Sequence, residues 1–278
     1  MISERIFGRG ASTPPLTIIW ERMRDALTAA ASLVFGLALL ATAWALVSVF
    51  GELPGPVATM RVFWELVSNP FYDAGPNDKG IGLQLIASLR RVALGFTIGT
   101  MIAVPVGMLV GASPIIRRVL DPVIQIMRPV SPLAWFPIGL VTFQSAPHAT
   151  VFIIAITSLW PTVINTAFGV SSIPQSHKNV ARVFQFSRTK YLTRVLIPYS
   201  LPHILTGMRL SMGIAWMVIV AGEMLSGGTG IGFFVWDSWN ALSLERVLSA
   251  ILLIGIVGLT LDRGFLLITN KFAYQEAA

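Results

Sequence analysis

Three ionisable side chains fall where the chain is otherwise strongly apolar: Arg128, Arg209 and Glu223. A guanidinium away from bulk water offers several coplanar donors, which suit a planar oxyanion. Arg128 and Arg209 are therefore candidates for an anion path. Gln125, Gln144 and Asn165, with Thr157 and Ser158, are further polar positions that could line it. Arg128 is also close enough to Asp121 for pairing, or for its head group to snorkel to a nearby interface. Glu223 ends a long apolar run, and a carboxylate there is costly unless paired or hydrated. It would make a poor ligand for an anion. The segment GGTGIGFFVW that follows, Gly227–Trp236, is glycine-rich but lacks the lysine and strand context of a phosphate cradle. It reads as a tight re-entrant turn.

Familiar catalytic patterns are missing from the sequence. There is no G-x-x-x-x-G-K-[ST] loop, no H-E-x-x-H and no G-x-S-x-G. The three histidines, His148, His177 and His203, are too few and too scattered for a His-rich metal site. With no cysteine, a disulfide framework and thiolate ligation are excluded. Enzymatic chemistry within this chain is poorly supported. The chain is 54% hydrophobic and only 12% charged, with a mean hydropathy of +0.73, and its apolar residues are gathered into long runs. That places it in a bilayer. The net charge of +7 is spread over the connections between runs, so it does not form a face for nucleic acid.

The elements that must hold these residues follow from the runs. A mixed-charge cytoplasmic segment, 1–28, precedes a retained first span, Ala29–Phe50. Within 51–82, ATMRVFWELVS reads as a short amphipathic helix at the interface, with Trp64 and Tyr72 at a suitable depth. The second span, Leu89–Gly111, carries two small-xxx-small pairs, Gly95/Gly99 and Gly107/Gly111, which permit close helix approach. The third, Pro122–Phe143, is broken by Pro129, Pro132 and Pro137. The fourth is Ala149–Phe168. Residues 169–199 then hold Lys178, Arg182, Arg188, Lys190 and Arg194 with no acidic residue, and two short helices fit near Asn179–Phe184 and Thr189–Leu196. Leu201–Leu225 and Val247–Ile268 are the fifth and sixth spans, and 269–278 is a cytoplasmic tail. With the N-terminus inside, 13 Lys/Arg lie on inner segments against 5 on outer ones, which supports six spans with both ends inside. Arg90 and Arg91 are the awkward pair, at the outer end of the second span.

The stretch NVARVFQFSRTKYLTRVLIPYSLPHILTGMRLSMG, Asn179–Gly213, resembles the cytoplasmic coupling loop of permease subunits in bacterial ATP-binding-cassette importers. Ala181 stands in the alanine-rich start and IPYSLP, with Pro198 and Pro202, forms its end. Asn179 stands where the family has an early glutamate, and Gln185 where it has a glycine. SLRRVALGFTIG, LDPVIQIMRPVSPLAWFPIGL, SLWPTVINTAFGVSSIP and GMRLSMGIAWMVIVAGEMLSGGTGIG are similar to one branch of that family, the nitrate, sulfonate/taurine and bicarbonate permeases. Within it the chain looks most like the cyanobacterial nitrate/nitrite permeases.

The resemblance implies an all-α, six-span permease domain, 29–268, that pairs with a second copy in the inner membrane. It implies two cytoplasmic ATP-binding subunits and an extracytoplasmic substrate-binding protein delivering a small anion. No cofactor is expected on this chain; ATP and magnesium would sit on the partner subunits. Docking would fall to 169–199, with Lys178, Arg182, Phe184, Gln185, Phe186, Arg188 and Tyr191. Exposed aromatics there would either fill a partner's pocket or pack back on the spans. Similar permeases carry an acidic residue where Glu223 stands, so Glu223, Gly227 and Gly230 form a shared structural or gating element. An ion-driven carrier and a membrane scaffold are the rival readings.

Overall fold

A computed structural model describes residues 15–75 and 78–273; the expected N-terminal segment as far as 14 and the tail beyond 273 lie outside these. Regular structure among them is helical, apart from one isolated antiparallel bridge, Asp73 to Lys79. The chain forms two compact units, Met1–Ala58 and Thr59–Ala278.

The first unit is dominated by α1, Pro15–Phe50, whose segment Ala30–Phe50 is long and apolar enough to cross a membrane. At its end the indole N–H of Trp44 donates to the Pro54 carbonyl at 3.0 Å, fixing the LPGP turn. The short helix α2, Pro56–Ser68, carries the expected amphipathic sequence.

In the second unit α3 (Ile81–Ala112), α6 (Ala146–Ser171) and α9 (Ile197–Ser226) pack as a central trio. Lipid gives no hydrophobic drive for helices to associate, so close approach and interhelical hydrogen bonds hold such a trio together. Sequence supplies both. All four glycines of the small-xxx-small pairs face α6. A Cβ at Gly95 would lie 2.7 Å from Ile154, one at Gly99 2.5 Å from the Ala155 carbonyl, and one at Gly107 2.6 Å from Thr166. At Gly111 the Ala167 carbonyl would be met at 2.6 Å. Between α6 and α9 the hydroxyls of Thr162 and Ser211 are 2.8 Å apart, and Ser211 donates to the Ser158 carbonyl at 2.6 Å. Ile153, Ile154, Ile219 and Val163 are fully buried within the trio. Leu94, Ile98 and Met101, on the far side of α3, are exposed as lipid-facing residues should be.

The remaining helices are α4 (Pro114–Met127), α5 (Phe136–Phe143), α7 (Gln175–Val183), α8 (Arg188–Tyr191), α10 (Ile231–Asn240) and α11 (Leu244–Ala273). The proline-rich third span is two helices, not one irregular one. It begins at Pro114, tolerates Pro122 inside α4, and turns by 97° between α4 and α5 through Pro129 and a 3-10 turn at Pro132–Trp135. Five helices among the described residues are long and apolar enough to span, and this bent pair makes six if it counts as one.

The fifth span also differs from expectation. The short helix foreseen at Thr189–Leu196 is not separate: α8 runs through a π-helical turn, Leu192–Leu196, directly into α9, and Arg188–Ser226 is a single 39-residue run. Pro198 and Pro202 therefore lie inside a helix rather than closing a loop. A helical proline lacks its N–H and crowds the carbonyl four residues earlier, and the wider π turn just before Pro198 relieves that conflict. Beyond Ser226 the glycine turn is as tight as expected, and it leads into α10, which the sequence reading did not resolve.

Candidate functional site

Three clusters hold most of the singled-out residues, at the two ends of the central trio and between them.

At the end opposite 169–199, Glu223 is fully buried and fully partnered. Its Oε1 accepts from Arg91 Nη1 at 2.5 Å, and its Oε2 accepts from Ser88 Oγ at 2.7 Å and from the Gly232 amide at 3.0 Å. Arg91 also donates to the Thr229 carbonyl at 2.5 Å. Gln84 Oε1 accepts from the Gly230 amide at 2.6 Å, and Ser88 Oγ from the Ile231 amide at 2.8 Å. The free amides that open α10 are thus capped by side chains of α3 and by Glu223, whose charge faces the positive helix end. Gly230 is required twice over: its φ is +152°, and a Cβ there would occupy the place of the Glu223 carboxyl. Gly227, at φ +68°, makes the bend itself. This arrangement resolves the awkward position of Arg91, whose charge is spent inside the bundle. Sequence reasoning missed Gln84 and Ser88, and the surplus cation at the outer end of the second span was the one available signal for Arg91.

Between the ends, a cavity of about 430 Å³ opens beside the α4–α5 break. Arg128, Ser131 and Trp135 from the break meet Thr157, Trp160 and Asn165 of α6 there, with Leu210 and Ile214 of α9 closing one side. The Arg128 guanidinium has no ion-pair partner among the described residues, so the foreseen pairing with Asp121 does not form. Asn165 donates one amide hydrogen to the Pro161 carbonyl at 2.8 Å, and Thr157 donates to Ile153 O at 2.5 Å. Ser158 is buried in the α6–α9 contact and does not line this space. Arg209 is engaged elsewhere: its Nε and Nη2 donate to both carboxylate oxygens of Asp262 on α11, at 2.7 and 2.8 Å. Gln125 is exposed on α4, and Gln144 is the left-handed cap of α5 at φ +50°; neither lines the Arg128 cavity.

At the third cluster α7 and α8 form a bent pair. Gln185 makes the turn at φ +48°, a conformation that strains any residue with a side chain. The Phe186 amide closes back onto the Ala181 carbonyl at 2.9 Å, and Asn179 Oδ1 accepts from Arg182 at 3.3 Å. The aromatics divide. Tyr191 packs back against Val170, Ile173 and Leu196. Phe186 is half-buried with Lys190 Nζ 4.3 Å from its ring centre. Phe184 stands 70% exposed beside Val183, with Arg182 and Arg188 exposed around them and Lys178 half-buried. No group of three or more His, Cys, Asp or Glu side chains able to hold a metal ion occurs among the described residues.

Residues 95–273 match the family described as binding-protein-dependent transport system inner membrane component. The chain belongs to that family. Such a membrane component is a multi-pass inner-membrane transport subunit, in keeping with the long apolar helices. Among curated relatives of this permease, the nitrate import permease protein NrtB of Synechocystis sp. is 44% identical over 76% of this chain and 77% of its own length. The bicarbonate transport system permease protein CmpB of Synechococcus elongatus is 42% identical over 95% of both chains. Among solved structures, an inward-facing form of the MetNI methionine ABC transporter superposes with a TM-score of 0.58 at 16% identity, covering 67% of this chain and 93% of that one. That likeness establishes the fold as an importer permease fold.

Proposed function

We propose that this chain is the membrane-spanning permease of an ATP-driven importer for a small inorganic anion, with nitrate or nitrite as the cargo. The single observation that carries this is the 44% identity to a nitrate import permease within a family defined by binding-protein-dependent transport. Bicarbonate is the second reading, favoured by the equal 95% coverage of a bicarbonate permease.

In this reading the cluster at 169–199 faces the cytosol and docks an ATP-binding subunit, so that two permease copies dock two. Phe184 and Val183 offer an apolar knob ringed by cations, suited to a groove with an acidic rim on a soluble partner. ATP and magnesium belong to those partners. A binding protein delivers the anion at the opposite end, and a second copy of the permease completes the path. Transport requires two packings of the spans, never open at both ends together.

The test is uptake of labelled nitrate and bicarbonate into vesicles holding the complete complex and its binding protein, with and without internal ATP. ATP-dependent nitrate uptake is expected. Bicarbonate uptake alone would transfer the cargo to the second reading, and uptake indifferent to ATP would overturn the importer.

A further inference from the structure

We propose that Arg128, with Asn165 and Ser131, forms a transit station for a small hydrated oxyanion beside the α4–α5 break, an assignment that rests on the proposed import of an inorganic anion. Its position makes the first argument. The cavity is walled by the middle of α6 and α9, both long enough to span, so Arg128 sits away from either membrane surface. An exposed guanidinium at such depth cannot face hydrocarbon without a large penalty, so in the paired permease it faces the path between the two copies, with its water or cargo.

The chemistry of the walls makes the second. Arg128 has no carboxylate within ion-pair distance among the described residues, whereas Arg209 and Arg91 are both neutralised by acidic partners. Of Arg91, Arg128 and Arg209, Arg128 is thus the one left with charge to offer. Asn165 spends one amide hydrogen on Pro161 and keeps the other, and the Ser131 hydroxyl adds a further donor on the cavity wall. Thr157 donates to its own helix and leaves only lone pairs, so it does not bind an anion. Trp135 and Trp160 supply apolar flanks that limit how much water competes.

Size makes the third. A space of 430 Å³ holds about a dozen waters, far more than a bare small anion needs. The ion would keep part of its hydration, meeting one guanidinium and few other donors. Such a site holds an anion weakly, as a path that must release its cargo requires.

The test uses the complete importer in vesicles with R128Q and R128K. R128Q is expected to lower nitrate uptake at saturating nitrate by about 10- to 100-fold, the loss of a charge-assisted hydrogen bond in transit, with R128K between it and the parent. Because the chain has no cysteine, I156C on the cavity wall provides a second, local readout. Its thiol should react faster with an anionic than with a cationic methanethiosulfonate, nitrate should slow the anionic reaction, and adding R128Q should abolish that preference. An unchanged uptake rate at saturating nitrate in R128Q, or an anionic preference that survives R128Q, overturns the assignment. If the parent complex imports neither nitrate nor bicarbonate, the proposed function fails. The thiol ratio then still decides whether Arg128 draws anions into the cavity.

Discussion

The Arg91–Glu223 pair joins residues 132 positions apart, and its energetics are asymmetric. Truncating one partner strands the other charge without water, at a cost of about 3–5 kcal/mol, whereas replacing both by apolar groups of similar shape is far less harmful. R91M should therefore lower the melting temperature of the detergent-purified chain sharply, and the R91M/E223M double variant should recover part of the loss. Equal destabilisation by single and double variants would contradict the coupling. Gln185 behaves oppositely, since its left-handed backbone is strained with a side chain present. Q185G should raise stability by about 1 kcal/mol in the same melting assay. On the hairpin before α3, Asp73 accepts from Lys79 Nζ at 2.5 Å, and this bond holds its carboxyl below the usual 3.8. A depressed carboxylate contributes at pH values above its unfolded pKa and ceases to as pH falls through the folded one. Loosening of residues 70–75 and 78–80, read by hydrogen exchange, should thus appear only below the ordinary carboxylate range.

At the scale of elements, the most legible contact was the α3–α6 seam. Glycines four apart declare a flat stripe on one helix face, and the structure places α6 on that stripe. G99V should destabilise by about 3 kcal/mol or more, because a backbone carbonyl that cannot move aside lies where the side chain would go. Gly264, with nothing within 4 Å of an added Cβ, should accept alanine with no loss in the same assay. What the sequence could not display were properties that leave no periodic trace. The π turn at Leu192–Leu196 changes hydrogen bonding without altering the apolar pattern, so α8 and α9 read as separate helices. The prolines at 129 and 132 announced a break, but not that it would turn the chain by 97°. Gln84 and Ser88 cap a helix some 140 residues away, and a sequence pattern has no such reach. Asp262 was likewise hidden in the last span, so Arg209 looked as free as Arg128.

For the molecule as a whole, long apolar runs made the membrane class readable and bounded the crossings at five or six among the described residues, because hydrocarbon thickness sets a length that no soluble core imposes. The proposed docking surface predicts that F184A in the intact complex will reduce co-purification of the ATP-binding subunits and uncouple hydrolysis from uptake. Y191A, which removes packing against Val170 and Leu196, should instead lower the stability of the chain itself. Retention of full coupling in F184A would remove that residue from the interface.

The unbroken run from Arg188 to Ser226 has a mechanical meaning. Its 39 residues, at about 1.5 Å each, make a stiff rod about 58 Å long. One end is rooted in the cation-rich knob and the other is tied by Glu223 to α3. A tilt of about 5° imposed at the first end sweeps the second through about 5 Å, roughly the pitch of one helical turn. The π turn at Leu192–Leu196 and the prolines at 198 and 202 are confined to the first end, so a force that reaches Pro202 arrives at the glycine turn as displacement.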